Sequence, residues 1–157
     1  MRPLWTSCIA LWASCIIFPA AADTKPLTRA EPIVRLVLQE SNNEPFYGMV
    51  AVAGTVIDRA EDSRWPNTVG GVAYQGNHTL RTAQYSGMAI PFKKYTKAQI
   101  QLARAAVEVA RLGVRPCGRV LWFHTPWVSP GWAKRLDKSC RIGGHIFYTD
   151  KTETNNG

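Results

Sequence analysis

Residues 47–59 constrain this chain more than any other stretch. Met49, Val50, Val52, Ala53, Val56 and Ile57 make its body largely apolar. A helix with so few polar residues belongs in the middle of a domain with other elements packed around it. The flanking pattern supplies those elements. Ile33, Leu36, Val37 and Glu40 fall at helical spacing on one face of residues 32–41. Thr28-Arg29-Ala30-Glu31 fits a capping box that would open this helix. Asn42-Asn43 breaks it, and Glu44-Pro45 starts the apolar helix, where proline suits a first turn. A third helix is predicted over residues 97–112, with Thr96 as its N-cap and Gly113 as its stop. Its inward stripe is Ile100, Ala103, Val107 and Ala110. Residues 120–124 read as a strand that pairs with residues 146–149, with a short helix near 130–136 between them. Residues 60–95, rich in Gly, Pro, Asn and Ser, read as loops with short helical or strand pieces. The fold class is α+β, mainly helical, with a small β-sheet or hairpin near the C-terminus.

The ends of the chain speak about compartment. Arg2, an apolar run over residues 4–18, and Pro19-Ala20-Ala21-Ala22-Asp23 have the layout of a secretory signal peptide cut after Ala22. The run is too short and too interrupted by Thr6, Ser7 and Ser14 to read as a membrane span. A lipid-modified Cys15 is the alternative, but Trp12 stands where a leucine is usual. The domain plan is a signal peptide over 1–22, a leader and helix start over 23–34, one domain over 35–148 and a polar tail over 149–157. The formal charge of +8 becomes +7 when Arg2 leaves. A basic exported protein is drawn to anionic polymers or surfaces. Its Lys and Arg residues are scattered rather than clustered, so nucleic acid is not an expected partner. Nor is stable membrane insertion expected once the leader is cut, whereas a protein regulator remains open. Cys117 and Cys140 are the two cysteines left after cleavage, and in an oxidising compartment they are expected to form a disulfide. The alternative is a pair of buried thiols. No Cys-x-x-Cys or close His spacing supports a metal, and no cofactor is expected.

Glu40 is the chemically odd member of its helix, a carboxylate in line with Ile33, Leu36 and Val37. Desolvation would raise its pKa, and an acid held protonated near neutral pH is what glycoside cleavage needs to protonate a leaving oxygen. On the pattern alone, a solvent-facing or Arg-paired glutamate explains it better. Glu44 is the runner-up, readily explained as an acid favoured by a helix N-terminus.

A set of ordered motifs adds to this reading. Residues 40–53 run Glu-Ser-Asn-Asn-Glu-Pro-Phe-Tyr-Gly-Met-Val-Ala-Val-Ala, followed by Val56-Ile57-Asp58-Arg59. Trp65-Pro66-Asn67-Thr68-Val69 and Val72-Ala73-Tyr74-Gln75 come next. His124, Val128, Pro130, Trp132-Ala133 and Ile142-Gly143-Gly144-His145-Ile146-Phe147-Tyr148 close the series. Together these resemble the SleB-type cell wall hydrolases over about residues 35–148. The resemblance implies a lysozyme-like fold and lytic-transglycosylase chemistry on peptidoglycan glycan strands, with the family's catalytic glutamate falling on Glu40. It implies no second carboxylate. Three departures stand out. Ser41-Asn42-Asn43 replaces Ala-x-Gly, where Asn43 can adopt the left-handed backbone of the glycine. Asp58-Arg59 replaces Asn-Arg, and Gln84-Tyr85-Ser86-Gly87-Met88 lacks the family's Asp-Gly. Gln84, Tyr85 and Ser86 still offer an amide, a ring and a hydroxyl to a sugar, and His124 and Glu44 are further candidate substrate contacts. His124 and His145 read more readily as structural histidines than as ligands or bases. Trp65, Trp122, Trp127 and Trp132 divide between core and stacking platforms. A muramidase-type hydrolase and a non-catalytic wall-binding module on the same fold are the alternatives.

Overall fold

A computed structural model describes residues 31–76, 85, 88 and 95–151. Residues 1–22, expected to be a signal peptide, Gln84 and Ser86 lie outside the described residues. Four helices come first: α1 (Pro32–Ser41), α2 (Phe46–Glu61), α3 (Val69–Ala73) and α4 (Lys97–Arg111). A small sheet follows, built from β1 (Trp122–His124), β2 (Asp137–Ile142) and β3 (His145–Thr149), with a 3-10 helix Gly131–Arg135 between β1 and β2.

α2 is the axis of the fold, as its composition requires. Every residue from Gly48 to Val56 is buried, and α1, α3 and α4 all pack against it. α1 contributes Ile33, Leu36 and Val37, while α4 contributes Ala103, Ala106, Val107 and Ala110. Small residues on α4 let its axis come close to α2. Phe147 of β3 and Val120, just before β1, are fully buried and tie the sheet to this helical core. Among the described residues no helix is long and apolar enough to cross a membrane.

Helix starts follow local chemistry with one correction. α4 opens with Thr96 capping the Gln99 amide while the Gln99 side chain returns to the Thr96 amide, a full capping box. α1 does not open at the box expected from Thr28. Its N-cap is Glu31, without a side-chain cap, and Pro32 occupies the first turn. Proline lacks an amide hydrogen, so that position has no donor to cap and the helix begins there without the box. α3 was hidden in the Gly-rich stretch, where the Thr68 hydroxyl accepts the Gly71 amide at 3.0 Å and nucleates a single turn.

The sheet is antiparallel in the order β1-β3-β2. β2 is a strand that the sequence pattern did not announce. Lys138 faces Tyr148 across the ladder and Cys140 faces Phe147, so Ser139 is an extra residue in a β-bulge. His145, Phe147 and Thr149 form the inner, buried face of β3, whereas Ile146 and Tyr148 point outward. Cys117, beyond the end of α4, is disulfide-bonded to Cys140 of β2 as expected, and the Ser139 hydroxyl donates to the Cys117 carbonyl beside it.

Candidate active site

Glu40 sits in the last turn of α1, half-buried. The next residue, Ser41, is buried and turns its hydroxyl back onto the Val37 carbonyl at 2.7 Å. That bond ties the last turn to the core-facing stripe and holds the backbone that carries Glu40. The short link to α2 is held on both sides. Gln99 of α4 donates its side-chain amide to the Asn42 side-chain oxygen at 3.3 Å, and the Glu44 amide reaches the Ser41 carbonyl at 3.0 Å.

Two tyrosines lie in the field of Glu40. Tyr85 is 3% exposed, and burial pushes its hydroxyl above the ordinary tyrosine range. The nearby Arg59 guanidinium works against that shift, and the Glu40 carboxylate adds to it. Tyr95 is shifted in the same direction, first by burial and then by the Glu40 charge. Arg59 of α2 organises the floor beneath. Its Nε donates to the Leu121 carbonyl at 2.7 Å and a terminal nitrogen donates to the Tyr85 hydroxyl at 3.0 Å. The guanidinium also lies over the rings of Trp65 and Tyr85. Tyr85 is therefore a support for the site, with little ring surface left to stack on a sugar.

From Tyr85 the aromatic floor passes to the sheet. Phe123 of β1 lies 6.2 Å from Tyr85 and 5.0 Å from the His145 ring, centroid to centroid. His145, 4% exposed, ends this row. Burial lowers its pKa, the Glu44 carboxylate opposes the shift, and the ring stays neutral at pH 7. Its Nδ1 has no hydrogen-bond partner and stands 3.8 Å from Glu44 Oε1.

Glu44 closes the arrangement from the helical side. Its Oε2 accepts the Gly144 amide at 2.8 Å, fastening the α1–α2 link to the β2–β3 turn. Only glycine fits this turn. Gly143 has a positive φ of 54°, and a Cβ there would collide with the Glu44 carboxylate. A Cβ on Gly144 would come within 2.8 Å of Glu44 Oε1. The structure thus commits the Glu44 side chain to holding the site together.

The remaining candidates fall elsewhere. His124 lies on the outer side of the sheet, where Nε2 meets the Tyr148 hydroxyl at 2.9 Å and Nδ1 meets the Thr125 carbonyl at 2.8 Å. Its ring stacks on Tyr148 and meets Trp132 edge-on. Asp58, the family departure beside Arg59, is 3% exposed and takes the Nε of Arg115 at 2.8 Å. The Arg115 stem crosses Gly54, where a Cβ would sit 3.1 Å from Cδ. Tyr95 and Phe123 were not singled out from the sequence, and Arg59 entered only as part of the Asp58-Arg59 motif pair. Arg59 carried a signal, since an arginine in an otherwise apolar helix must find acceptors. Tyr95 and Phe123 carried none.

Comparison with known proteins places this geometry. The sequence profile of the cell wall hydrolase family matches residues 43–148. The spore cortex-lytic enzyme of Oceanobacillus iheyensis is 31% identical over 112 residues, covering 71% of this chain and 38% of the relative. The spore cortex-lytic enzyme of Bacillus cereus is 30% identical over the same length, covering 71% of this chain and 40% of the relative. The chain therefore spans about two fifths of the length of these relatives. Among solved structures, the catalytic domain of the Bacillus cereus SleB protein matches with a TM-score of 0.58 and 26% identity, over 83% of this chain and 99% of that domain. The catalytic domain of a germination-specific lytic transglycosylase, SleB from Bacillus anthracis, matches equally well over 80% of this chain and 100% of that domain. The profile match over residues 43–148, the identity to these relatives and the shared architecture lead to one conclusion: the chain belongs to the cell wall hydrolase family.

Proposed function

We propose that this chain is an exported enzyme that cuts the glycan strands of peptidoglycan, with Glu40 as its acid and then its base. The observation that carries this reading is the position of Glu40. It ends a core helix beside two tyrosines whose titration its charge perturbs, in a fold shared with the SleB catalytic domains. Protonated Glu40 donates to the oxygen between N-acetylmuramic acid and N-acetylglucosamine, and the bond from C1 to that oxygen breaks. The resulting carboxylate removes the proton of the C6 hydroxyl, whose oxygen bonds to C1 and closes a 1,6-anhydro ring. No water is consumed, and Glu40 ends protonated as it began. One carboxyl group suffices for this route. Gln84 and Ser86 flank Tyr85 in the chain and are the proposed amide and hydroxyl contacts to the sugar.

The test is digestion of purified sacculi, with mass spectrometry of the soluble products. Anhydro-muropeptides are expected from the native sequence. Glu40→Gln is expected to lower their release by about a hundredfold or more while leaving the circular-dichroism spectrum unchanged. Reducing ends in place of anhydro ends would replace the transglycosylase with a muramidase. Release unaffected by Glu40→Gln would remove Glu40 from the role of acid.

A further inference from the structure

The outer face of the sheet carries charge that the fold does not use. Between Glu108 and Asp150 the chain has one acidic residue, Asp137, against seven basic ones. Arg111 pairs with Glu108, Arg115 with Asp58 and Arg119 with Asp62. Lys134 and Arg135 of the 3-10 helix and Lys138 and Arg141 of β2 are all exposed, and none of them pairs with a described carboxylate. The β-bulge decides where the last two point. Residues three apart in a regular strand face opposite ways, but the extra Ser139 sets Lys138 opposite Tyr148 and Arg141 opposite Ile146. Both cations therefore stand on the outward face, on the free edge strand, where the sheet ends.

Aromatic surface adjoins them. Trp132 of the 3-10 helix packs on Tyr148 and His124 of the same face. The loop that brings this helix over the sheet holds Trp127, 78% exposed, and Val128, 48% exposed. The strip also reaches the candidate active site, because Arg141 Nε donates to the Gly143 carbonyl at 3.3 Å, in the turn that grips Glu44.

We propose that this face is a second contact site for the wall polymer, where Lys138 and Arg141 hold carboxylates of the peptide stems hanging from the glycan strand. Lys134 and Arg135 extend the cationic strip, and exposed Trp127 offers an apolar ring to neighbouring sugar. The inference rests on the reading that the chain acts on peptidoglycan. The combination of rings and unpaired cations selects this occupant. A phosphate polymer would need only the charge, whereas a sugar strand carrying carboxylates uses both the cations and the Trp127 ring beside them.

The test is cosedimentation with insoluble sacculi in the Glu40→Gln background, so that binding is read without turnover. The Lys138→Glu/Arg141→Glu variant is expected to bind intact, teichoic-acid-free sacculi about tenfold more weakly at low salt, with the difference shrinking as salt is added. Binding to glycan strands stripped of peptide by amidase should be equal for the two proteins. Lys134→Glu/Arg135→Glu, placed off the strand, should give a smaller loss in the same direction and guards against a folding artefact in β2. Equal binding of all variants to intact sacculi would overturn the proposal. So would an equal loss on stripped strands, or a loss seen only with sacculi that retain teichoic acid or with anionic lipid vesicles. Because binding is scored apart from cleavage, failure of the enzymatic reading would show as no product from the native sequence while the binding difference persists.

Discussion

At the scale of single residues, the strongest commitments are two acids and a histidine. Asp58 is buried against a half-buried Arg115, and burial still raises the Asp58 pKa above 3.8 despite the hydrogen bond from Arg115. The desolvation cost thus exceeds the attraction. Arg115→Met alone should destabilise by about 3–5 kcal/mol in urea unfolding, because it strands a buried carboxylate. Asp58→Leu with Arg115→Met should recover most of that loss. A double variant as unstable as the single one would contradict this balance. A carboxyl with a raised folded pKa holds its proton more tightly than the unfolded chain. Its favourable contribution is present at acid pH and is lost as pH climbs from 3.8 through the folded value. His145 works in the opposite sense. Its folded pKa lies below 6.5, so its neutral form favours folding above 6.5, and stability drops as pH falls through the interval below that value. Melting temperatures across pH 7 to 5 should fall less steeply for His145→Gln than for the native sequence. Glu44→Ala removes the acceptor of the Gly144 amide and should cost about 1–3 kcal/mol. Glu44→Gln keeps an oxygen at that place and should retain most of the stability.

At the scale of elements, the helices were readable and one strand was not. The apolar stripes of α1, α2 and α4 repeat at helical spacing, and Thr96-x-x-Gln99 announces where α4 begins. The box at Thr28 misled because Pro32 opens α1 in its place. β2 escaped because Asp-Lys-Ser-Cys-Arg-Ile lies on an edge, shows few apolar side chains, and loses its two-residue alternation at Ser139. α3 escaped because Val-Gly-Gly-Val-Ala is a poor helix former held by the Thr68 cap and by packing on α2. The disulfide is the covalent tie between the helical half and this edge strand. Reduction should lower stability by about 3 kcal/mol for a loop of this length. Hydrogen exchange should rise first in β2, while α2 keeps its protection. Uniform loss of protection in both elements would contradict that order.

At the scale of the whole molecule, Glu40 is legible as the proposed acid and its surroundings are not. Glu40 stands out because a carboxylate shares a stripe with Ile33, Leu36 and Val37. That Glu44 would meet Gly144 and approach His145, a hundred residues along the chain, follows from no local pattern. Long-range closure of this kind depends on how the sheet docks on the helices. The docking in turn depends on Phe147 and Val120 finding the α2 core. The same closure fastens the link that follows Glu40 to the sheet. Gly144→Ala, which pushes a methyl group toward the Glu44 carboxylate, should reduce sacculus digestion although it lies outside α1. Digestion equal to that of the native sequence would show that the turn and the acid are independent.

The bulge in β2 also bears on chain length. Ser139 is one residue more than the ladder needs, since its neighbours Lys138 and Cys140 face consecutive residues of β3. Deleting Ser139 would leave every other β2 side chain on its present face, whereas inserting a residue elsewhere in the strand would turn part of it over. In a library of single-residue insertions and deletions, this position should tolerate shortening where the rest of the strand does not.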